Sequence, residues 1–359
     1  MNLRHEVSSA DDRDACRVTA MRHCEPAGVD NQLFEQPPVL VNVEGCPRRV
    51  GVEIEFMGPT AAAVAEALAR GFGASIETED LHAFQVRNTP LGDLSVELDL
   101  RYAHPQRPSN RGLIHLGRSG AAWLGSALQS VVPRELITGP LEIGRLGQVD
   151  EAIGILRTAG AKGRGTVLFE SLGLHFNIEP PSLDSDILAA YLKAFLLLND
   201  RIREATTEGR RRLMRALPPD YPATYVRKVL SPEYWPDITT FIDDYLIANP
   251  TRRRALDLLP CLAHLDEARV RTVLPREKIG KRGVLHYRLP LAHVSEPGWG
   301  IASDWNRWVE VERLASDRAK LVTLCREFLA TGVLHGSQPP GECAARSDGY
   351  VTPARSRSR

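Results

Sequence analysis

The chain contains 359 residues, of which 25% are charged and 43% are hydrophobic, and its 45 Lys and Arg residues balance its 45 Asp and Glu residues. This length is enough to bury a substantial core in one large domain or two ordinary ones. Because the net charge is zero and no apolar run reaches the roughly 20 residues that span a bilayer, we predict neither a nucleic-acid nor a membrane partner. The six cysteines are scattered without a C-x-x-C pair, which argues against a zinc site and predicts a cytoplasmic protein.

The chain is predicted to form one domain between two loosely ordered ends. Residues 1–38 are polar and weakly periodic, residues 335–359 are rich in Gly, Pro, Ser and Arg, and the domain then spans residues 39–334 with a helical insertion at about 206–275. The first predicted elements are a strand at 48–58 and a helix at 59–73, which starts at Pro59 or Thr60 and ends before Gly71 or Gly73. A hairpin at 82–102, a helix at 119–132, a short extended piece at 134–141, a helix at 146–160 and an extended segment at 166–180 follow. The last elements are a helix at 187–205, a strand at 283–290 and a closing helix at 303–332 that is capped by Ser303. Antiparallel strands with helices grouped on one side are typical of an α+β fold.

The first strand, "RRVGVEIEFMG", raises a question about its polar face. Its apolar residues alternate with Gly51, Glu53 and Glu55, so the two glutamates lie on the same face. Residues two apart in a strand are roughly 7 Å apart, at about 3.3 Å per residue. Two carboxylates at that distance repel each other, and a bound cation between them would remove the repulsion.

Three later strands have the same alternation and similar polar residues. The polar faces carry Glu97 and Asp99 in "LSVELDLRY", His175, Asn177 and Glu179 in "LGLHFNIE", and His286 and Arg288 in "VLHYRLP". Each strand alone could be an ordinary amphipathic strand with one wet face. Together they predict one sheet curved around a polar cleft, whose carboxylates and imidazoles suit divalent cations such as Mg²⁺ or Mn²⁺.

Five short motifs, in this order, carry a resemblance to a known family: "GVEIEF", "SVELD", "ELITGPL", "GLHFN" and "HYRLP". They resemble the amidoligase family, which belongs to the carboxylate–amine ligase superfamily of glutamine synthetase and glutamate–cysteine ligase. The resemblance covers residues 49–330. It implies a glutamine-synthetase-like half-barrel, in which a curved antiparallel sheet carries helices on its apolar face and binds ATP at one end. Two or more Mg²⁺ or Mn²⁺ ions would lie between the nucleotide and the substrate.

The resemblance also implies roles for four glutamates. Glu53 and Glu55 match the first acidic strand of the family, in which each carboxylate binds a different metal ion. Glu97 and Glu135 match later acidic positions that hold metal or orient the amine substrate. Either of these two could also take the proton of the amine.

Three residues of the two later motifs match further positions of the family, and a fourth departs from it. His175 matches a metal or phosphate ligand, with Asn177 beside it. Arg288 matches the arginine that contacts the transferred phosphate or the substrate carboxylate. His286 stands where members of the superfamily often have a glutamate. Imidazole can replace a carboxylate at a metal ion, but one negative charge is lost.

We therefore predict an ATP- and Mg²⁺-dependent ligase that joins a carboxylate, from a small molecule or a peptide, to an amine through an acyl phosphate. A peptide or a protein is included among the predicted acceptors. Because "GAKGRGT" lacks the G-K-[ST] ending of a P-loop, the nucleotide would be bound by the sheet and the metal ions. Two alternatives stay open, namely a phosphotransferase on the same fold and an inactive binding or scaffold protein.

Two other features have competing interpretations. Trp299, Trp305 and Trp308 could line the adenine or substrate pocket, but their helical spacing is more typical of a core. The basic run "TRRRAL" could bind an acidic substrate, but such runs are commonly solvated surface.

Overall fold

The structure is a computed structural model, which describes residues 33–100, 104, 118–128, 132–163, 172–208 and 217–332. The predicted C-terminal tail and nearly all of the predicted N-terminal arm lie outside the described residues. The same holds for the start of the extended segment predicted at 166–180 and for residues 209–216 of the predicted insertion. The division into an arm, one domain and a tail therefore stays a prediction.

The described strands form one sheet in which each pair is antiparallel. They are β1 (Arg49–Phe56), β2 (Ser75–Asp80), β3 (Ala83–Thr89), β4 (Gly92–Leu98), β5 (Arg134–Thr138), β6 (Leu141–Glu142), β7 (Leu174–Ile178), β8 (Leu256–Asp257) and β9 (Leu285–Tyr287). Their order across the sheet is β2-β3-β4-β5-β1-β7-β9-β8, and β6 also pairs with β1. The sheet is curved and unclosed. With the helices packed around it, this confirms the predicted α+β fold.

Ten helices are described besides a 3₁₀ helix at Ile143–Gln148. They are α1 (Ala61–Phe72), α2 (Arg118–Leu128), α3 (Val149–Thr158), α4 (Ser185–Thr207), α5 (Ala223–Val229), α6 (Ile238–Ala248), α7 (Leu259–Leu265), α8 (Glu267–Val273), α9 (Ala302–Ser316) and α10 (Arg318–Thr331). Within the described ranges, no helix is both long enough and apolar enough to cross a membrane.

The apolar face of the sheet is covered by α4 and α9. Phe176 of β7 contacts Trp305 of α9, with ring centroids 5.9 Å apart, and Tyr287 of β9 contacts Trp308 at 5.3 Å. Both tryptophans are completely buried, so the core interpretation is confirmed for them. The opposite face of the same strands is therefore left for the polar residues.

Local chemistry settles both ends of α1. The Thr60 hydroxyl accepts a hydrogen bond from the amide of Ala63, and Gly73 follows the helix in a left-handed conformation with φ 65°. A side-chain cap of this kind satisfies a helix amide that has no partner within the helix, and glycine enters the left-handed region without a Cβ clash. Of the two predicted starts, Pro59 and Thr60, the helix is therefore capped by Thr60, and of the two predicted ends, Gly71 and Gly73, it stops at Gly73.

Three predictions about elements are wrong. Ser303 does not cap the closing helix, which begins at Ala302 after Ile301 and is divided by Asp317, whose carboxylate accepts from the amide of Lys320. The second hairpin strand ends at Leu98 instead of continuing to residue 102. The insertion predicted as helical contributes the short strand β8 to the sheet.

Strand β2 was not predicted either. Strand β2, "SIETED", lies at the edge of the sheet and is exposed along almost its entire length. It therefore lacks the alternation of apolar and polar residues on which strand prediction depends.

A buried ion pair joins the start of β1 to α9. Arg48 donates two hydrogen bonds to Glu312, both of 2.7 Å, and both side chains are completely buried. Tyr191 and Trp308 also donate to the Glu312 carboxylate, at 3.0 and 2.7 Å. Burial alone would lower the pKa of Arg48, but its bonds with Glu312 raise the pKa above the usual value. Because β1 is the central strand of the polar face, this pair fixes the position of the residues described next.

Candidate active site

Strand register brings three of the candidate glutamates into one row. Glu97 of β4 is the partner of Glu135 of β5, and Glu135 is also the partner of Glu55 of β1. Directly paired residues of antiparallel strands point to the same face, with Cβ atoms about 4.5–5.5 Å apart. The structure therefore brings Glu97, Glu135 and Glu55 together on one face across three strands.

The remaining strands continue this face on the other side of β1. Glu53 pairs with His175, Gly51 with Asn177, and Asn177 with His286 of β9. All the candidate site residues on β1, β4, β5, β7 and β9 thus share the polar face, which we call the polar cluster: Glu53, Glu55, Glu97, Glu135, His175, Asn177 and His286.

Glu53 has the most contacts within the polar cluster. Its carboxylate accepts a hydrogen bond of 2.6 Å from the Asn177 amide and lies 3.2 Å from Nδ1 of His175. Nε2 of His286 and the guanidinium of Arg282 lie 3.9 and 3.8 Å away. Burial alone would raise the pKa of Glu53, but the hydrogen bond with His175, the nearby His286 ring and the hydrogen bond from Asn177 hold it well below the usual value. Glu53 is therefore ionised at neutral pH.

His175 lies between the two glutamates of β1. Its Nδ1 faces Glu53, and its Nε2 lies 3.9 Å from Glu55, whose other oxygen accepts a 2.7 Å hydrogen bond from the amide of Gly173. If the Nδ1 proton is donated to Glu53, the lone pair of Nε2 is directed toward Glu55. This carboxylate–imidazole arrangement is the one that commonly orients a metal-binding histidine.

Glu135 is the carboxylate most affected by its neighbours. Burial, together with repulsion from Glu53, Asp99 and Glu55 and from Glu97, raises the pKa of Glu135 well above the usual value. Burial and the same kind of repulsion also raise the pKa of Asp99. A divalent cation among these groups would reverse the effect, because its charge favours the ionised carboxylates.

Among the residues that the structure describes, two groups of three could hold such a cation. Glu55, Glu135 and His175 form one group, and Glu53, His175 and His286 form the other, with the ligand atoms of each group within 4.8 Å of one another. Since a neutral imidazole has one lone pair, His175 can serve only one group at a time. Carboxylate oxygens suit Mg²⁺ and Mn²⁺, and added imidazole nitrogens favour Mn²⁺ over Mg²⁺.

His286 fits a ligand position. Its side chain is buried at 4% exposure, and neither ring nitrogen has a hydrogen-bond partner among the described residues. Burial lowers the pKa of His286 well below its usual value, so the ring is neutral at neutral pH. A neutral imidazole with free ring nitrogens is the form that binds metal ions.

Arg288 lies at the edge of the polar cluster with two other arginines. Its guanidinium donates to the carbonyl of Arg252, and its backbone amide pairs with Ala255. Arg252 and Arg282 were not predicted as site residues, although "TRRRAL" had been considered. The interpretation of that run as solvated surface is wrong for Arg254, which is 9% exposed and donates to Asn249.

A cavity of about 730 Å³ opens beside the polar cluster. Gly51 and Asn177 line it on the sheet side, Arg49 and Arg282 contribute guanidinium groups, and Glu44 and Glu179 contribute carboxylates. Its wall also contains Ile137, Pro140, Pro180, Pro181, Leu183 and Val284. Its size is typical of a small-molecule site, and its lining combines apolar surface with a few charged groups.

Residues 46–310 match a protein-family model described as "putative amidoligase enzyme". The match spans most of the chain and all of the polar cluster, so the chain belongs to this family. This membership supports an enzyme of the ligase type. No curated protein and no solved structure was found to match the chain.

Gly173, two residues before His175, is expected to be required for the position of the imidazole. A Cβ atom at Gly173 would lie 2.3 Å from Nε2 of His175. In Gly173→Ala the ring must therefore rotate away from Glu55, and we expect the Mn²⁺ affinity, measured by calorimetric titration, to fall about 10- to 100-fold, as for other losses of ligand orientation.

The matched control is Gly51→Ala, on the same face of the neighbouring strand. Its added Cβ would meet only ordinary contacts, with the nearest atom at 3.5 Å. We expect this variant to bind Mn²⁺ as the unmodified protein does. Equal Mn²⁺ affinity of Gly173→Ala and Gly51→Ala would show that His175 does not bind the ion.

Proposed function

We propose that this protein is an ATP- and Mg²⁺- or Mn²⁺-dependent carboxylate–amine ligase that works through an acyl phosphate. The observation that carries the proposal is the row of Glu97, Glu135 and Glu55 beside Glu53, His175 and His286 on one face of the sheet. So many carboxylates in one partly buried place need cationic charge, and a ligase that transfers a phosphoryl group brings metal ions and a nucleotide to such a place.

The reaction would begin with attack of the substrate carboxylate on the γ-phosphate of ATP, which would form the acyl phosphate and release ADP as the leaving group. Both groups are anionic, and bound metal ions would neutralise phosphate charge and bring the two reactants together. Glu55, Glu135 and His175 would hold one ion, with Glu53 orienting His175. Arg288 and Arg282 would supply positive charge that stabilises the moving phosphoryl group.

The second step would be attack of a neutral amine on the acyl phosphate, with release of phosphate. The amine loses a proton when the amide forms, and a carboxylate of the row can accept it. Glu97 is suited to this role, because it is half-buried and lies at the end of the row away from the group formed by Glu53, His175 and His286. Glu135, in the middle of the row, is the other candidate.

The cavity beside the polar cluster is proposed to bind the carboxylate substrate. Arg49 and Arg282 can attract anionic groups, and the proline and aliphatic residues can contact a side chain or a short peptide. A volume of about 730 Å³ leaves room for more than a free amino acid. We therefore include peptides, and a peptide end of a protein, among the proposed substrates.

Two further functions are compatible with the family membership. A phosphotransferase on this fold would release ADP without forming an amide. An inactive binding protein would follow if His286, in the place of a glutamate, had removed a metal site. The position of His286 within 3.9 Å of Glu53 favours a working ligand over a lost site.

The first experiment measures Tm with a non-hydrolysable ATP analogue, with and without Mn²⁺. We expect a shift that needs the ion, since a ligand at a hundredfold excess over its Kd stabilises the folded state by about 2.7 kcal/mol. ATP, Mn²⁺, a panel of amino acids and peptides, and hydroxylamine as the amine are then combined. We expect ADP release together with hydroxamate formation.

The outcomes separate the three functions. ADP release with a stable phosphorylated product and no hydroxamate would indicate the phosphotransferase. Absence of any Tm shift with nucleotide and metal would contradict the enzyme and leave the binding protein.

A further inference from the structure

A buried aspartate of the insertion faces His286. Asp257 lies on β8, is completely buried, and is the direct partner of His286 in the sheet. Its Oδ1 accepts a 3.0 Å hydrogen bond from the amide of Leu259. No described residue donates to its Oδ2. A buried carboxylate oxygen without a donor is costly, so this atom needs a partner when the site is complete.

The ring nitrogens of His286 likewise lack a hydrogen-bond partner among the described residues. Its Nε2 is directed toward Glu53, at 3.9 Å, which leaves Nδ1 as the nitrogen available to Asp257. The two side chains start from paired positions, where Cβ atoms are about 4.5–5.5 Å apart, so a small ring rotation or one water molecule can connect them. Glu53 already accepts from Asn177 and contacts His175, so the His286 proton is better placed on the Asp257 side.

We propose that Asp257 is a positioning residue that accepts the Nδ1 proton of His286, directly or through one water molecule, and so directs the Nε2 lone pair toward Glu53. The proposal rests on the proposed metal-dependent function.

The surroundings of Asp257 support an ionised carboxylate. Burial raises the pKa of Asp257 to about 6, and Arg288, Arg252 and Arg282 limit the rise. The three guanidinium groups favour the carboxylate form of Asp257. A histidine that binds a metal ion usually donates its other ring N–H to such a group.

A structural role for Asp257 must be separated from this positioning role. The bond from Leu259 to Oδ1 is a local turn contact immediately before α7. Asp257→Asn keeps this bond, since the amide oxygen can accept it, but removes the charge. Asp304→Asn is the matched control, because Asp304 is also buried, at 6% exposure, and its pKa is likewise raised to about 6 by burial, but it pairs with Arg307 in α9.

The test combines two measurements. The protein is labelled with ¹⁵N-histidine, and the His286 tautomer is read from long-range ¹H–¹⁵N correlations, with His286→Gln used to assign the signal. Mn²⁺ affinity is measured by calorimetric titration. We expect the Nδ1–H tautomer in the unmodified protein and in Asp304→Asn. In Asp257→Asn we expect loss of that preference and a Kd for Mn²⁺ raised about 10- to 100-fold.

Each outcome of the test either supports or overturns the positioning role of Asp257. An Nε2–H tautomer in the unmodified protein would overturn the proposal, as would an Asp257→Asn variant that binds Mn²⁺ within about twofold of the unmodified protein. Failure of the unmodified protein to bind Mn²⁺ would contradict the metal-dependent function. The tautomer, which is read without metal, would still decide whether Asp257 positions His286.

Discussion

Replacement of Glu53 by alanine is expected to weaken Mn²⁺ binding at least about 100-fold and to abolish amide formation while leaving the fold intact. The Glu53 carboxylate contacts His175 and Asn177 directly and lies within 4 Å of His286 and Arg282, so its removal affects both possible cation groups. Loss of a residue that only orients a ligand costs about 10- to 100-fold in metal affinity, and we expect at least the upper end of this range here.

The measurements are the Mn²⁺ Kd by calorimetric titration and the rate of hydroxamate formation. Glu77→Ala, at an exposed position of the same sheet, is the control and is expected to match the unmodified protein. A Glu53→Ala variant with an unchanged Kd for Mn²⁺ would contradict the assignment of the polar cluster as the cation site. A reduced affinity accompanied by a large loss of Tm would show that the fold was damaged, and Glu53→Gln would then be the variant to measure.

Removal of the Glu312 side chain is expected to have the largest effect on stability. Glu312→Ala leaves the guanidinium of Arg48 buried without its carboxylate, and it removes the acceptor of Tyr191 and Trp308. Breaking a buried ion pair in this way costs about 3–5 kcal/mol of the free energy of unfolding. We expect a loss of this size in urea denaturation, with the midpoint lowered and the slope unchanged.

Two comparisons test whether the unpaired buried charge of Arg48 causes the loss of stability in Glu312→Ala. Arg87→Ala removes the partner of Glu77 and Asp93 at a side chain that is 38% exposed, and exposed pairs of this kind contribute about 1 kcal/mol or less. The double variant Arg48→Met/Glu312→Leu removes both buried charges and is expected to be more stable than Glu312→Ala. A double variant less stable than Glu312→Ala would show that the unpaired charge is not the cause of the loss.

The sequence by itself determined the polar face of each central strand. Alternation placed Glu53 and Glu55 on one side of β1 and the residues Val50, Val52, Ile54 and Phe56 in the core, and these four side chains are fully buried in the structure. The same period of two placed Glu97, His175 and His286 on polar faces. Alternation is a local property of a strand, so it can be read without knowing what lies beside the strand.

The positions relative to one another were decided only by the tertiary structure. The row from Glu97 through Glu135 to Glu55 depends on the order β4-β5-β1, which no local pattern gives. Asp257 was missed because it belongs to a two-residue strand within a segment that looked helical. Short edge strands are formed by pairing with a neighbour, so their own residues carry little signal.

The pairing of Arg48 with Glu312 was likewise decided only by the tertiary structure. They are 264 positions apart, and each alone looks like an ordinary surface charge. Their burial becomes favourable only when β1 and α9 are packed together, because each side chain then supplies the opposite charge and the hydrogen bonds that the other needs. Residue types and faces were determined by the sequence, whereas partners across the sheet and between layers required the fold.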